Sequence, residues 1–383
     1  MISSHVLNSP WTSPGEQQHD RTYRRNFLIS PGKRRASLVV AGIAVMLMGR
    51  AALPGRALAQ SAYTLVPSQF GMSLKTPDGR VVFQYMTKKP GEDVPLTSPS
   101  VADFHPVLTP AGETITTLAP NDHPHHRGIF FGFMNSEFHI PVIFGKDAPP
   151  THPVKAFNVT RADYWAWGVY APREGRLIET KDIKLVAADA KHAQLEIHND
   201  WEVQGRNNDY KKMLDEIDEV FVSEREGVYV IDIYYRLAPV VEYQLLQTAF
   251  GGFDVQAQKY GDSYYSTASG KVTLPDPFYS IPDSDWPSEP WYDYTITLKS
   301  DGKTIGAAVV DHPLNPPTRW HNSRTLWMLN PCITTYGSVT IEPEAPMVLR
   351  YRVVVHDGPT PTDVLQRLSQ EFRGMQLNPF PPQ

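Results

Sequence analysis

The sequence contains one cysteine, Cys332, among 383 residues, which excludes an intramolecular disulfide. A lone cysteine is more often a buried thiol than a nucleophile. Stability must therefore come from a hydrophobic core, and the chain is long enough to build one. Runs of lysine or arginine are also absent from residue 60 onwards. This absence argues against nucleic acid and against anionic membranes as partners.

The sequence also lacks alternating strand-like and helix-like segments, which argues against a parallel α/β sheet. Apolar and polar residues instead alternate, or nearly so, in segments such as Arg80–Tyr85, Asp182–Val186, Ala193–Ile197 and Gly227–Tyr235. Thirty-five prolines and 25 glycines separate such segments from one another. The pattern predicts an all-β fold, a single large antiparallel β-sandwich over residues 60–383. Two smaller sandwiches in tandem are the alternative.

One helix is predicted near the C-terminus, at about residues 361–373. Thr360 is a favoured N-cap, Pro361 suits the first helical position and Gly374 is a favoured C-cap. The apolar residues between them recur at helical spacing. We expect this helix to brace the sheet and to carry no chemistry of its own.

Residues 1–59 are predicted to be a signal peptide. Arg24-Arg25-Asn-Phe-Leu28 resembles a twin-arginine export signal, and Ala57-Leu58-Ala59 supplies a small-residue cleavage site. The apolar core between them, Leu38 to Met48, is short for a membrane span. We therefore expect a periplasmic or secreted protein with no stable membrane span after cleavage, and the general secretory route stays open. This segment holds eight basic and two acidic residues, so the remainder carries a net charge of −11, against −5 for the whole chain.

The run Asn121-Asp-His-Pro-His-His-Arg-Gly128 places three imidazoles, a carboxylate and a guanidinium within eight residues. Histidine exchanges protons near neutral pH and is a common metal ligand. Pro124 disfavours a helix here and favours an extended backbone at His123. In an extended chain, His123 and His125 share one face, while Asp122 and His126 share the other.

Three interpretations of this run remain open. In a metal site, His123 and His125 bind a divalent ion together with a distant ligand such as His321 or Asp311. In a proton-transfer site, one imidazole acts as acid or base and Arg127 binds a carboxylate or an oxyanion. In a structural cluster, the polar groups satisfy loop carbonyls at the rim of the sandwich.

A second group of candidate residues lies almost two hundred residues further on, in Asp311-His312-Pro313 and Trp320-His321, with Arg324 close behind. We expect this proline-rich segment to meet the first run in one pocket. Aromatic faces suit the apolar side of a pyranose ring. The predicted catalytic residues are His123, His126, Arg127, Asp311 and His321, and the predicted substrate-binding residues are Asp122, His125, Trp291, Asp293, Trp320 and Arg324.

These motifs resemble the bacterial family DUF6807, whose members sometimes carry the label "methane oxygenase PmoA". The resemblance runs through Phe104–Gly112, Asp122–Gly128, Gly251-Gly-Phe253, Trp291-Tyr-Asp-Tyr294, Val310–Pro316, Trp320-His321, Asn330-Pro331 and Leu349–Gly358. Two positions depart from the family's pattern. Gln256 replaces a basic residue after the Gly-Gly-Phe turn, and Cys332 replaces an aromatic residue after Asn-Pro.

The resemblance implies a galactose-mutarotase-like supersandwich and a carbohydrate or other small-molecule ligand. The oxygenase label does not fit a chain without several membrane spans. We expect an exported carbohydrate-active enzyme that uses His and Arg for acid–base chemistry on a sugar or oxidised glycoside, as a lyase, hydrolase or epimerase. The alternative is a non-catalytic sugar-binding or envelope scaffold protein. The cofactor is unknown, with a divalent metal open.

Overall fold

A computed structural model describes residues 62–142, 156–272, 286–323, 325–376 and 378–380. The predicted signal peptide and Arg324 lie outside the described residues. In chain order the strands are β1 (Thr64–Pro67), β2 (Gly71–Lys75), β3 (Val81–Met86), β4 (Asp103–Val107), β5 (Ile129–Gly132), β6 (Ser136–Pro141), β7 (Phe157–Ala162), β8 (Arg176–Ala188), β9 (His192–Gln204), β10 (Tyr210–Arg225), β11 (Val228–Pro239), β12 (Glu242–Leu245), β13 (Gly252–Gln256), β14 (Gly261–Thr267), β15 (Gly270–Val272), β16 (Trp291–Leu298), β17 (Thr304–Asp311), β18 (Arg319–Trp320), β19 (Met328–Leu329), β20 (Pro331–Cys332), β21 (Val339–Ile341) and β22 (Met347–Asp357). Helix α1 (Thr362–Gly374) follows.

The strands form two large antiparallel sheets. The seven-stranded sheet has the order β1-β2-β3-β4-β5-β13-β19, and the nine-stranded sheet has the order β15-β14-β16-β17-β22-β11-β10-β9-β8. One core cluster of buried apolar side chains draws on both sheets, including Phe104, Phe131 and Phe253 from the first and Leu195 and Ile233 from the second. Smaller sheets, β21-β12-β6-β7 and β18-β20, complete the fold. The predicted all-β antiparallel sandwich is confirmed.

The period-two pattern is clear in the long strand β9. Ala193, Leu195 and Ile197 are buried in the core, and the residues between them are partly exposed. Strands β10 and β11 form the predicted hairpin, with Glu226 and Gly227 as its two loop residues. Both have positive φ angles, 51° and 79°, which a tight two-residue turn requires and which glycine adopts without strain.

The helix lies within one residue of its predicted bounds, but its ends differ from the prediction. Pro361 is the N-cap and makes no side-chain capping bond, while Gly374 is the last helical residue and Met375 the C-cap. Thr360 does not cap the helix, because its hydroxyl donates to Asp293 Oδ2 at 2.6 Å. The apolar face of the helix packs on the outer side of the nine-stranded sheet. Among the described residues, no helix is long and apolar enough to cross a membrane.

Candidate functional site

The Asp122–Arg127 run folds as two successive turns and not as an extended segment. The amide of His123 bonds to the carbonyl of Pro120, and the amide of His126 bonds to the carbonyl of His123, each at 2.9 Å. The expected split of the imidazoles between two faces is therefore wrong, since the turns bring all three together. Ring centroids lie 5.7 Å apart for His123 and His125, 5.1 Å for His123 and His126, and 4.5 Å for His125 and His126. We call these three residues the imidazole cluster.

Gln256, on β13, holds His126 in one orientation. The Gln256 Nε2 amide donates to the backbone carbonyl of Leu326 at 2.5 Å, so its Oε1 faces Nδ1 of His126 and accepts a hydrogen bond from it. His126 therefore carries its proton on Nδ1 in the neutral form, which leaves Nε2 as a base. Burial lowers the pKa of His126 to about 3, so the ring is neutral at physiological pH.

Burial also lowers the pKa values of the other two rings of the cluster. Burial lowers the pKa of His125 strongly, and the neighbouring rings of His126 and His123 lower it further. Burial also lowers the pKa of His123, against the opposing effect of Asp122. Nε2 of His125 is buried without a hydrogen-bond partner among the described residues.

Arg127 lies below the imidazole cluster and is fully buried. Its guanidinium carbon is 4.5 Å from the centroid of the Phe130 ring, and its Nη1 donates to the carbonyl of His125 at 3.0 Å. Burial lowers the pKa of Arg127, and the carboxylates of Asp103 and Asp254 counter that effect. A guanidinium remains charged in proteins, so Arg127 places a buried positive charge beside neutral imidazoles.

Asp103 and Asp254 flank Phe130 on the two neighbouring strands. Asp103 pairs in register with Phe130, and Phe130 pairs with Asp254. All three point away from the sandwich core, because Phe104, Phe131 and Phe253 next to them point into it. Both carboxyl groups are fully buried, and none of their oxygens has a hydrogen-bond partner in the described part of the chain. Burial raises both pKa values well above the usual range, while Arg127 lowers them.

A tight loop from Asp163 to Gly168 places two tryptophans against the cluster. The Trp165 ring lies 5.6 Å from that of His126 and 4.6 Å from that of Phe130. The Trp167 ring stacks on His123 with a centroid distance of 5.3 Å. Asp163 accepts from the amide of Ala166 at 2.6 Å and from that of Gly168, and Ala166 has a positive φ of 74°.

His321, from the Trp320-His321 segment, also lies near the imidazole cluster. Its ring lies 4.8 Å from that of Phe250, which also contacts Trp165 and Trp167 at 6.1 and 6.0 Å. Burial lowers the pKa of His321 to about 3, and the neighbouring His126 lowers it further. The structure thus brings His321 to the Asp122–Arg127 run across nearly two hundred residues of sequence.

The rim of the site is partly exposed while its floor is closed. Asp122 at the rim forms an ion pair with Lys259 at 2.6 Å, and their side chains are 43 % and 18 % exposed. His123 is half-buried below them. The site therefore grades from a charged rim through the imidazoles to the buried Arg127.

Asp311 makes its contacts elsewhere, so the structure does not bring it together with the other predicted catalytic residues. Its carboxylate accepts from Asn315 Nδ2 at 2.8 Å and from the hydroxyl of Thr318 at 2.7 Å. Burial raises its pKa to about 6. These contacts tie together the loop that follows β17, while Arg373 of the helix donates to the carbonyl of Asp311 at 2.5 Å.

The predicted substrate-binding residues Trp291, Asp293 and Trp320 also make their contacts away from the imidazole cluster. Trp291 packs beneath the helix in the smaller core cluster on the outer side of the nine-stranded sheet. Asp293 forms a fully buried ion pair with His356 at 2.9 Å. Trp320 donates from Nε1 to a backbone carbonyl at 2.9 Å and is 2 % exposed. The aromatic residues at the imidazole cluster are others, namely Phe130, Trp165, Trp167 and Phe250.

The arrangement of the imidazoles bears on the metal interpretation. Among the described residues, no group of three or more His, Cys, Asp or Glu side chains is arranged to hold a metal ion. His123 and His125 contact each other through their rings, and Asp311 lies outside the site. The ligands named for the metal interpretation are therefore not all brought together, and that interpretation stays a prediction.

Sequence reasoning missed Asp103, Asp163, Asp254 and the Trp165–Trp167 pair. Asp103 directly precedes the Phe104–Gly112 motif, and Asp254 directly follows the Gly-Gly-Phe turn. A carboxylate inside an apolar strand was the available signal, because such a residue is rarely buried without a purpose. Nothing in the spacing of Trp165 and Trp167 indicated the loop.

Comparisons with solved structures give distant matches. The chain is similar to a galactose mutarotase related enzyme from Lactobacillus acidophilus, with 6% identity, a TM-score of 0.31, and coverage of 77% of this chain and 97% of the other. It is also similar to the α-galactosidase AgaA from Geobacillus stearothermophilus in complex with stachyose, with 9% identity, a TM-score of 0.29, and coverage of 77% and 40%. A candidate mutarotase, YeaD, from Salmonella typhimurium has 12% identity, a TM-score of 0.22, and coverage of 61% and 81%.

A search of the curated proteins finds no match. The family model of DUF6807, described as a family of unknown function, matches residues 75–370. This range takes in the whole imidazole cluster, Arg127, both flanking carboxylates and His321. The oxygenase label appears in none of the matched descriptions. The chain belongs to the DUF6807 family.

Proposed function

We propose that this protein is a carbohydrate-active enzyme that works by acid–base chemistry at the imidazole cluster and Arg127. The observation that carries the proposal is the pairing of His126 with Gln256, which fixes Nδ1 as the protonated nitrogen. Nε2 is then the atom that takes a proton from the substrate. Arg127 supplies the positive charge that stabilises a developing oxyanion or binds a carboxylate.

The carboxyl groups supply the opposite member of an acid–base pair. Burial raises the pKa values of Asp103 and Asp254 and lowers that of His126. Titratable groups whose pKa values are moved apart in one site are typical of an acid and a base with separate roles. The imidazole is thus the proton acceptor in the resting enzyme, and a buried carboxyl group is the proton donor.

Two features favour a sugar as the ligand. Hydroxyl groups donate hydrogen bonds, and the oxygens of Asp103 and Asp254 have no partner among the described residues. The half-buried rings of Trp167 and Phe250 at the rim offer apolar faces of the kind that pack against a pyranose. A positioned general acid or base can serve a lyase, a hydrolase or an epimerase reaction.

A non-catalytic sugar-binding or scaffold protein is the second candidate. The exposed, charged rim and the closed floor would serve binding without turnover equally well. The two candidates differ in one measurable respect, since a binding protein returns its ligand unchanged.

The test is a screen of residues 60–383 against monosaccharides, glycosides and their oxidised forms, with and without chelator, with product detection by mass spectrometry and NMR. Turnover that is lost in Arg127→Lys but kept in His192→Ala, an exposed imidazole at the start of β9, supports the enzyme. Binding by calorimetry without product supports the second candidate. Absence of both contradicts the proposal.

A further inference from the structure

A groove lies on the outer face of the seven-stranded sheet, which is the face from which Asp103 projects. It has a volume of about 670 Å³ and is lined by Phe70, Gln84, Met86, His105 and Leu118, among others. We call it the Phe70 groove. Gln84 and Met86 point outwards from β3, since their neighbours Phe83 and Tyr85 point into the core.

The strand register places this groove directly next to the candidate site. Met86 pairs with Asp103, which pairs with Phe130, which in turn pairs with Asp254. Neighbouring strands are about 4.8 Å apart, so the floor of the groove is one strand away from Asp103. His105 follows Asp103 by two residues on β4 and faces the groove as well. The groove and the site are therefore neighbours on one face of the sheet.

The groove offers both apolar and polar contacts. Phe70 and Leu118 are half-buried and form an apolar patch. Thr116 Oγ1 accepts from the amide of Val107 at 3.0 Å and lies 3.0 Å from Nδ1 of His105. The Thr116 hydroxyl hydrogen has no other acceptor among the described residues and points to that nitrogen. His105, whose pKa burial lowers to about 4, then presents a neutral Nε2–H donor.

We propose that the Phe70 groove binds the second ring of a glycoside whose first ring occupies the site at the imidazole cluster. This inference rests on the proposed function and narrows its substrate class from free monosaccharides to disaccharides and larger glycosides. The apolar patch covers one face of the second ring, while His105 donates to a ring hydroxyl. Gln84 donates from Nε2 to the carbonyl of His105 at 3.0 Å, which leaves its Oε1 as an acceptor.

The test compares matched ligands by isothermal titration calorimetry. The probes are glucose, galactose, glucuronic acid and galacturonic acid, each beside disaccharides that contain it. We expect one disaccharide to bind the wild-type protein about ten-fold or more tightly than its monosaccharide, which corresponds to about 1.4 kcal/mol. Phe70→Ala removes that advantage and leaves the monosaccharide affinity unchanged. Tyr210→Ala, which removes an exposed ring at the start of β10, changes neither affinity.

The outcomes separate this inference from the function on which it rests. Equal affinity for monosaccharide and disaccharide in the wild-type protein overturns the second-ring site and leaves the proposed function intact. Equal weakening of both ligands in Phe70→Ala also overturns it, because the groove then acts on the first ring. Binding of no sugar at all contradicts the proposed function and this inference together. Circular dichroism confirms that each variant is folded, and Gln84→Ala repeats the comparison without altering the apolar patch.

Discussion

Nδ1 of His126 donates to Oε1 of Gln256, which lies 130 residues further along the chain. The resemblance to DUF6807 leads us to expect a basic residue at this position, where the chain has glutamine. A basic side chain there would bring a second positive charge towards the imidazole and Arg127. The neutral amide instead fixes the tautomer of His126 without adding charge. The departure therefore preserves a neutral base beside a buried cation.

Gln256→Glu should raise the pKa of His126 above its value of about 3. A carboxylate at the same position favours the charged imidazolium, which the amide does less strongly. The measurement is an NMR titration of the His126 ring. Gln258→Glu, two residues further along, is the matched control, because Gln258 bonds to the carbonyl of Thr116 instead of to an imidazole. An equal His126 pKa in both variants would show that the assigned hydrogen bond is wrong.

His126→Ala and His321→Ala address the proton transfer itself. Loss of a general acid or base lowers turnover by about a hundred-fold or more, and at least one of the two variants should show this loss on a substrate found in the screen. His139→Ala removes a half-buried imidazole from the four-stranded sheet and serves as the control. Circular dichroism checks that each variant is folded. Full activity in both His126→Ala and His321→Ala would contradict the proposed catalytic site.

The stability of the sandwich should decrease with rising pH because of Glu216. This carboxyl group lies in the core, where it accepts from Asn199 at 2.6 Å and from Trp201 Nε1 at 2.9 Å. Burial raises its pKa from 4.5 to about 7. Folding therefore favours the protonated form, and this contribution is fully present below about pH 4.5 and lost as the pH rises through about 7.

Glu216→Gln keeps the group neutral at every pH and tests this directly. Relative to the variant, the wild-type free energy of unfolding should fall between pH 5 and pH 7 by up to about 1.4 kcal/mol per pH unit. Urea denaturation at several pH values measures the difference. Glu344→Gln, which alters an exposed carboxyl group, should show no such trend. A constant difference between the wild-type protein and Glu216→Gln across this range would refute the expectation.

Local patterns predicted the fold well, whereas the composition of the site depended on strand register. The alternation in β9 is visible because side chains two residues apart share a face. Asp103 and Asp254 lie near Arg127 only because β4, β5 and β13 are neighbours, although the two residues are 151 positions apart (254 − 103) in the sequence. No local pattern reports that pairing.

Two predicted binding residues of β16 illustrate a second limit of local sequence patterns. Trp291 and Asp293 share one face of the strand, and the face on which they lie is decided by the packing of the helix against it. Asp293 binds His356 and Thr360 there, and these contacts fix the start of the helix. An aromatic residue and a carboxylate two positions apart have the same sequence signature in a binding site and under a structural helix.

Export remains a prediction. The mature protein should begin at or near Gln60 and be found in the periplasm, since Ala57-Leu58-Ala59 forms a small-residue cleavage site. N-terminal sequencing of the exported form and cell fractionation measure both points. Arg24→Lys with Arg25→Lys should block export if the twin-arginine route is used, and should leave it intact if the general secretory route is used. An exported form that begins before Ala51 would contradict the cleavage site.

The C-terminal helix should depend on a buried ion pair more than on its exposed ones. Arg352, on β22, bonds to both carboxylate oxygens of Asp232 at 2.5 and 2.7 Å and to the carbonyl of Leu368 at 2.8 Å. Its guanidinium also lies 4.9 Å from the centroid of the Phe372 ring. Arg352→Ala leaves Asp232 buried and unpaired, so it should lower the free energy of unfolding by about 3–5 kcal/mol.

Arg225→Ala is the matched control for this prediction. Arg225 also makes a two-bond contact to a carboxylate, that of Glu371 in the helix, but both side chains are more than a third exposed. Its loss should cost about 0–1 kcal/mol. The double variant Arg352→Met with Asp232→Leu removes both buried charges and should recover much of the stability lost in Arg352→Ala. Chemical denaturation measures all three. Similar losses of unfolding free energy in Arg225→Ala and Arg352→Ala would contradict the prediction. They would mean that burial does not decide how much each ion pair stabilises the helix, which would then be held mainly by its apolar face.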